Sequence, residues 1–135
     1  MLQPEIAPAG ARTNRWTTLL ADDVPDLRFV LKLALQRSGR FDVIAEADNG
    51  FQAIELATTH RPQLVLLDLY MPRMDGLEAL PRIRELLPDS KVVVFSGMAE
   101  VFSESVLAAG ASGVIVKGVA TSELIQRLTD IVSAH

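Results

Sequence analysis

The chain is 135 residues long, 49% hydrophobic and 22% charged, with a formal net charge of −4 and no cysteine. That length and balance fit one globular domain with a buried core and exclude a disordered chain, while the missing cysteines exclude a disulfide scaffold and any thiolate metal site. A pI near 5.1 and the absence of a Lys/Arg cluster argue against general nucleic-acid binding, and no apolar run approaches the roughly 18 residues a bilayer requires.

Residues 1–15, rich in Pro, Ala and Gly and without a period, read as a flexible N-terminal extension, with one domain expected over 16–135. The extension lacks the apolar stretch of a secretion signal, so a cytoplasmic location is expected. From there apolar runs alternate with helical periodicity. The runs are Thr17–Ala21, Phe41–Ala47, Gln63–Leu67, Lys91–Phe95 and Ser112–Val116, each followed by enough chain for one helix. Behind Pro25, Leu27, Val30, Leu31 and Ala34 recur at helical spacing until Gly39 closes the segment. Asp75 and Glu78 form a capping box, but Pro81 inside that helix would cost ~3 kcal/mol. Either the helix starts nearer Leu80 or its first turn is distorted. Phe102, Val106 and Ala109 precede Gly110 as a helix stop, and Leu124, Leu128, Ile131 and Val132 give the last helix a buried stripe. The strand cores "LVLL" and "VVVF" are continuous rather than alternating, which means that helices cover both faces. Five such units predict a doubly wound, flavodoxin-like α/β domain with a five-stranded parallel sheet in the order 2-1-3-4-5.

In such sheets ligands bind beyond the carboxyl ends of the strands, where the strand order reverses. The residues at those ends are Asp22 and Asp23, then Asp68, Ser96 and Lys117. In the expected order these carboxylates, hydroxyl and ammonium converge on one edge. Most have a plainer reading alone: Asp23 caps the next helix, Ser96 makes a turn with Gly97, and Lys117 is solvated. Asp68 resists one, because the next helix start is too far on for it to cap and Leu64–Leu67 bury its base. Clustered carboxylates raise one another's pKa unless a cation offsets them, and Mg2+ is the natural cation for an all-oxygen site. A carboxylate beside such a metal can attack phosphorus, through a transition state that needs positive charge around its equatorial oxygens. Mg2+, Lys117 and the Ser96 hydroxyl would meet that need, which makes Asp68 the candidate for phosphorylation.

At these residues the chain resembles the receiver domain of bacterial two-component response regulators. "LLADD", "LLDLYMPRMDGLEAL", "VVVFSG" and "GASGVIVKG" carry the resemblance, which covers roughly Thr17 to Ser133. It implies a signalling domain, not an enzyme with a separate substrate, catalysing only its own phosphoryl transfer and dephosphorylation. It implies Asp68 as phosphoacceptor, Asp22 and Asp23 as the acidic pair around Mg2+, and the backbone carbonyl of Tyr70 as a further metal ligand. Ser96 becomes the hydroxyl that follows the phosphoryl group and Lys117 its ion-pair partner. The donor implied is a histidine kinase or phosphotransfer protein. The output face implied is that of the last two helices and the fifth strand, Glu100 to Leu128, where receivers often form homodimers. Neither membrane nor nucleic-acid contact is expected of this domain itself.

Two positions depart from the family pattern. Receivers commonly carry a cis-linked Pro after the lysine. Gly118 stands here, a Lys-Gly pair that resembles the NarL-type branch carrying LuxR-like DNA-binding domains, and a more mobile loop is expected. Val114 replaces an aromatic residue three positions before the lysine, so ring burial is not available as a switch signal. No output domain follows the last helix within these residues, so the expectation is a stand-alone receiver or one cut from a larger DNA-binding regulator.

Other classes fit less well. The alternative function is a receiver-like interaction module that never uses phosphate, against which the complete acid, hydroxyl and lysine set stands. A haloacid dehalogenase needs a second Asp two residues after the first, where this chain has Tyr70. A flavodoxin needs a Ser/Thr/Gly-rich phosphate loop after the first strand, and none is present. His60 and His135 stand alone and read as surface residues.

Overall fold

The computed structural model describes residues 15–134. The expected extension lies outside the described residues except for Arg15, and so does His135. The elements are β1 (Trp16–Ala21), α1 (Pro25–Arg37), β2 (Phe41–Ala47), α2 (Gly50–His60), β3 (Leu64–Leu67), α3 (Gly76–Leu86), β4 (Lys91–Ser96), α4 (Ala99–Ala108), β5 (Gly113–Val116) and α5 (Thr121–Ser133). The strands pair in parallel in the order β2-β1-β3-β4-β5, the doubly wound arrangement expected of continuous apolar strands. Four strand ends differ from the apolar runs by one residue, the ordinary spread of such boundaries. Among the described residues no helix is long and apolar enough to cross a membrane.

Side-chain alternation along β1 sorts the core into two layers. Leu19 and Ala21 join Ala57, Leu80, Ile83 and Val106 from α2, α3 and α4, while Leu20 joins Leu31, Leu35, Leu124 and Leu128 from α1 and α5. Each large apolar side chain so buried stabilises by about 1.5–3 kcal/mol. Clamped from both faces, the sheet offers its carboxyl edge as a fixed platform.

Two helices depart from their sequence reading. Helix α1 turns Leu31 and Leu35 inward and leaves Val30 55% exposed, beside exposed Phe29 and Leu33. Apolar residues run around much of this helix, so spacing alone cannot select its buried face. Helix α3 begins at Gly76, not near Leu80, and carries Pro81 inside it. The cap is reciprocal: Glu78 N–H donates to Asp75 Oδ1 at 2.9 Å and Asp75 N–H to Glu78 Oε1 at 3.4 Å. These bonds, with burial of Ala79, Leu80 and Ile83, outweigh the hydrogen bond lost at exposed Pro81. Gly39 and Gly110 take the left-handed φ values of 76° and 109° just past α1 and α4, as helix stops do. His60 ends α2 at the surface, as expected.

Candidate functional site

Strands β1 and β3 pair from Thr18–Leu64 to Ala21–Leu67, so the next residues, Asp22 and Asp68, leave the sheet side by side. The Asp68 N–H donates to the Ala21 carbonyl at 2.9 Å, and the Asp22 N–H to the Ala47 carbonyl at 2.9 Å, which carries the backbone ladder one residue into the site. Strands β4 and β5 end level in the same way, with Ser96 paired to Val116 and the Lys117 N–H donating to the Ser96 carbonyl at 3.1 Å. The strand order thus brings all the predicted side chains to one edge.

The three acids differ in setting. Asp22 and Asp68 are 3% and 6% exposed, whereas Asp23 is exposed. One carboxylate oxygen from each lies within 4.8 Å of the others. Asp22 Oδ1 accepts from the Val24 N–H at 2.9 Å, and Asp68 Oδ1 from the Tyr70 N–H at 3.4 Å. Lys117 Nζ donates to Asp22 Oδ2 at 2.7 Å and to Asp68 Oδ2 at 3.0 Å, and it lies 5.9 Å from the centre of the Phe95 ring. Asp23 does not cap α1. The cap position is Val24, without a side-chain bond, and Pro25 starts the helix.

Burial pushes Asp68 above the ordinary carboxylate range, and the charge of Asp22 adds to it. The hydrogen bond and charge of Lys117 and the Tyr70 N–H pull the other way and do not overcome burial. Burial also opposes the charge on Lys117, but the hydrogen bonds and charges of Asp22 and Asp68 prevail and hold it above the usual lysine range. The ammonium, shared with Asp22, does not fully compensate the burial of Asp68.

A cleft of about 420 Å3 opens over this edge, with Asp23, Asp68, Tyr70, Ser96 and Lys117 in its lining. Asp22 is buried beside Asp68 and is not part of that lining. Ser96 is 1% exposed and its Oγ accepts from the Met98 N–H at 3.2 Å. A larger cleft of about 640 Å3 lies at the amino edge of the sheet between Trp16, Pro62, Ser90 and Val132. No acid cluster of this kind lines it among the described residues, so charge rather than volume identifies the site. Three carboxylates within reach of one ion form an all-oxygen donor set that suits Mg2+.

Two glycines that sequence reasoning passed over shape the site. A Cβ on Gly76 would strike the Asp68 carbonyl and lie 2.9 Å from Leu69 Cα, and the Gly76 N–H donates to the Leu69 carbonyl at 2.9 Å. The Gly50 N–H donates to the Met74 carbonyl at 2.7 Å, with Met74 Cγ 2.6 Å from where a Cβ would be. The available signal was glycine at the first position of each helix, where only a close backbone approach favours it. Between these contacts Arg73 takes φ 70° and the Met74 N–H donates to the Pro72 carbonyl at 2.7 Å, a γ-turn. Gly118 takes φ 108°, which proline, locked near −65°, cannot adopt. Val114 is half-buried, and its carbonyl accepts from Arg127 Nη2 at 3.0 Å.

Residues 18–129 match the response regulator receiver domain family. The chain is 41% identical over 115 residues to the nitrate/nitrite response regulator protein NarL of Escherichia coli K12, which covers 83% of this chain and 52% of that protein. A DNA-binding response regulator of the LuxR family from Staphylococcus aureus has the same fold, with a TM-score of 0.81 at 26% identity over 87% of this chain and 99% of that one. So does a chain in the structure of the CheX–CheY complex of Borrelia burgdorferi with beryllofluoride and Mg2+, with a TM-score of 0.82 at 27% identity over 88% of this chain and 90% of that one. The chain spans about half the length of the transcription regulators it matches. It belongs to the response regulator receiver family, with relatives in the NarL and LuxR branch.

Proposed function

We propose, with that membership as the premise, that the domain accepts a phosphoryl group on Asp68 from the phosphohistidine of a histidine kinase or phosphotransfer protein in the cytoplasm. The meeting of buried Asp68 with Asp22, Asp23 and Lys117 at one strand edge carries the reading. Burial makes the Asp68 carboxylate more basic and so a better nucleophile. Its oxygen forms the bond to phosphorus while the donor's phosphorus–nitrogen bond breaks, and the electron pair returns to the imidazole. Asp22, Asp23, Asp68 and the Tyr70 carbonyl would hold Mg2+, which neutralises charge on the phosphoryl oxygens when bound. Lys117 exchanges a carboxylate for a phosphoryl oxygen, and the Ser96 hydroxyl donates to another. The relative crystallised with beryllofluoride and Mg2+ supports the same chemistry here. The domain acts only on itself, forming its acyl phosphate and hydrolysing it.

The change leaves through α4, β5 and α5, where Val101 and Leu107 stand 69% and 51% exposed for a partner or a second copy. Amide exchange with and without beryllofluoride should show protection extending past Ser96 into α4 and β5. Protection confined to the Asp68 loop would rule that face out. Phosphorylation itself is tested by incubation with Mg2+ and a small acyl phosphate, read by intact mass. One acid-stable, base-labile phosphate per chain is expected, absent after chelation and in Asp68→Asn. An unlabelled wild type would leave the phosphate-independent interaction module as the reading.

A further inference from the structure

Arg28 occupies the fourth position of α1, where a positive charge opposes the helix macrodipole. Its side chain is only 18% exposed and joins two elements. Nη1 donates to the backbone carbonyl of Asp22 at 2.6 Å, and Nε donates to Glu46 Oε1 on β2 at 3.3 Å. Lys32, one turn on, donates to Glu46 Oε2 at 3.5 Å.

Glu46 reaches Arg28 because β2 breaks register. Thr18 pairs with Val43 but Leu19 pairs with Ala45, which leaves Ile44 as an extra residue. Val43 faces the α1–α5 layer, and regular alternation from it would carry Glu46 to the opposite face. The bulge turns Glu46 back to the side of Leu20 and α1. Asp22 is then held at every polar group: its N–H by Ala47, its carbonyl by Arg28, its carboxylate by Val24 and Lys117.

We propose that Arg28 is a positioning residue of this site. Braced by Glu46, it pins the Asp22 carbonyl and so sets the direction in which Asp22 and Asp23 present their carboxylates to a divalent cation. The inference rests on the Mg2+ reading of the acid cluster. Charge and position predict opposite signs. As a nearby cation Arg28 weakens the attraction for Mg2+, so a residue acting through charge alone tightens binding when removed. A residue that orients ligands loosens it, by 10- to 100-fold where such outer partners have been mutated.

The test is a calorimetric Mg2+ titration of the whole chain at fixed ionic strength, with a metal-free melt of each variant to establish folding. Arg28→Lys keeps the charge and loses the fork; Arg28→Ala loses both. Each should weaken Mg2+ binding about tenfold. Glu46→Gln keeps an acceptor for Arg28 and should stay within about twofold of wild type. Asp23→Asn tests the Mg2+ reading itself. Wild type that binds no Mg2+, or Asp23→Asn that binds it as tightly, sinks that reading and the proposal together. Weakened binding in Asp23→Asn beside unchanged or tighter binding in both Arg28 variants overturns the proposal alone.

Discussion

Where β3 leaves the sheet, Gly76 packs on the Asp68 backbone, Asp75 and Glu78 cap α3, and Gly50 binds Met74. Where β4 and β5 leave it, a Cβ on Gly97 or Gly118 would meet nothing within 4 Å, and α4 and α5 begin without a side-chain cap. Asp68 therefore sits on a rim braced by backbone and cap contacts, which the loops after Ser96 and Lys117 lack. Among the described residues, the side-chain hydrogen bonds that cross between the rims are those of Lys117 to Asp22 and Asp68. The difference separates two tasks. On the function proposed above, a fixed Asp68 keeps a reactive geometry, while the less braced loops leave Ser96 and Lys117 room to close on a phosphoryl group.

The sharpest way to break this comparison is to make the same chemical change on both rims. Gly76→Ala drives a methyl group into backbone that has no room to yield and should cost about 3 kcal/mol, the upper end of overpacking. Gly97→Ala enters open space and should stay within about 0.5 kcal/mol of wild type. Denaturant unfolding measures both, and equal costs would show that the rims are held alike.

Cutting the link between the rims comes next in size. Lys117→Ala leaves two buried carboxylates without their ammonium and should cost about 2 kcal/mol in metal-free melts. Mg2+ should restore part of that loss. A metal-free variant as stable as wild type would mean that the acids need no partner.

The smallest effect concerns Asp68 alone. A folded pKa above the unfolded value, near 3.8, means that the protonated form is favoured by folding. That contribution is fully present below the unfolded pKa and is lost as pH rises through the folded pKa. At neutral pH ionised Asp68 therefore costs stability, and metal-free Asp68→Asn should be at least as stable as wild type. The advantage should shrink as pH falls through the folded pKa and be gone below 3.8. Mg2+ should then stabilise wild type more than the variant, because it binds only the folded state. Melts across pH with and without Mg2+ check the sign; a less stable Asn variant at neutral pH would mark Asp68 as a structural acid.

Strand order and the convergence of acids were legible because continuous apolar runs such as Leu64–Leu67 report burial on both faces, and the residue after each run is then placed by topology. The buried face of α1 was not, since Phe29, Val30 and Leu33 are as apolar as the residues that turn inward. Pro81 misled because a local propensity cost was weighed without the cap and burial that offset it. Arg28 and Glu46 lie 18 residues apart, and their contact depends on a bulge at Ile44 that no periodicity announces. Nor did their expected placement at one edge show that Lys117 would bond to both Asp22 and Asp68.

The account turns on which carboxylate carries the phosphoryl group. Treating the protein with Mg2+ and a small acyl phosphate, reducing the adduct with borohydride and fragmenting the peptides locates it, because reduction converts a phosphorylated aspartate to homoserine. Homoserine at position 68 and nowhere else is the predicted result. Homoserine at position 22 or 23, or none anywhere, would contradict the account at its centre.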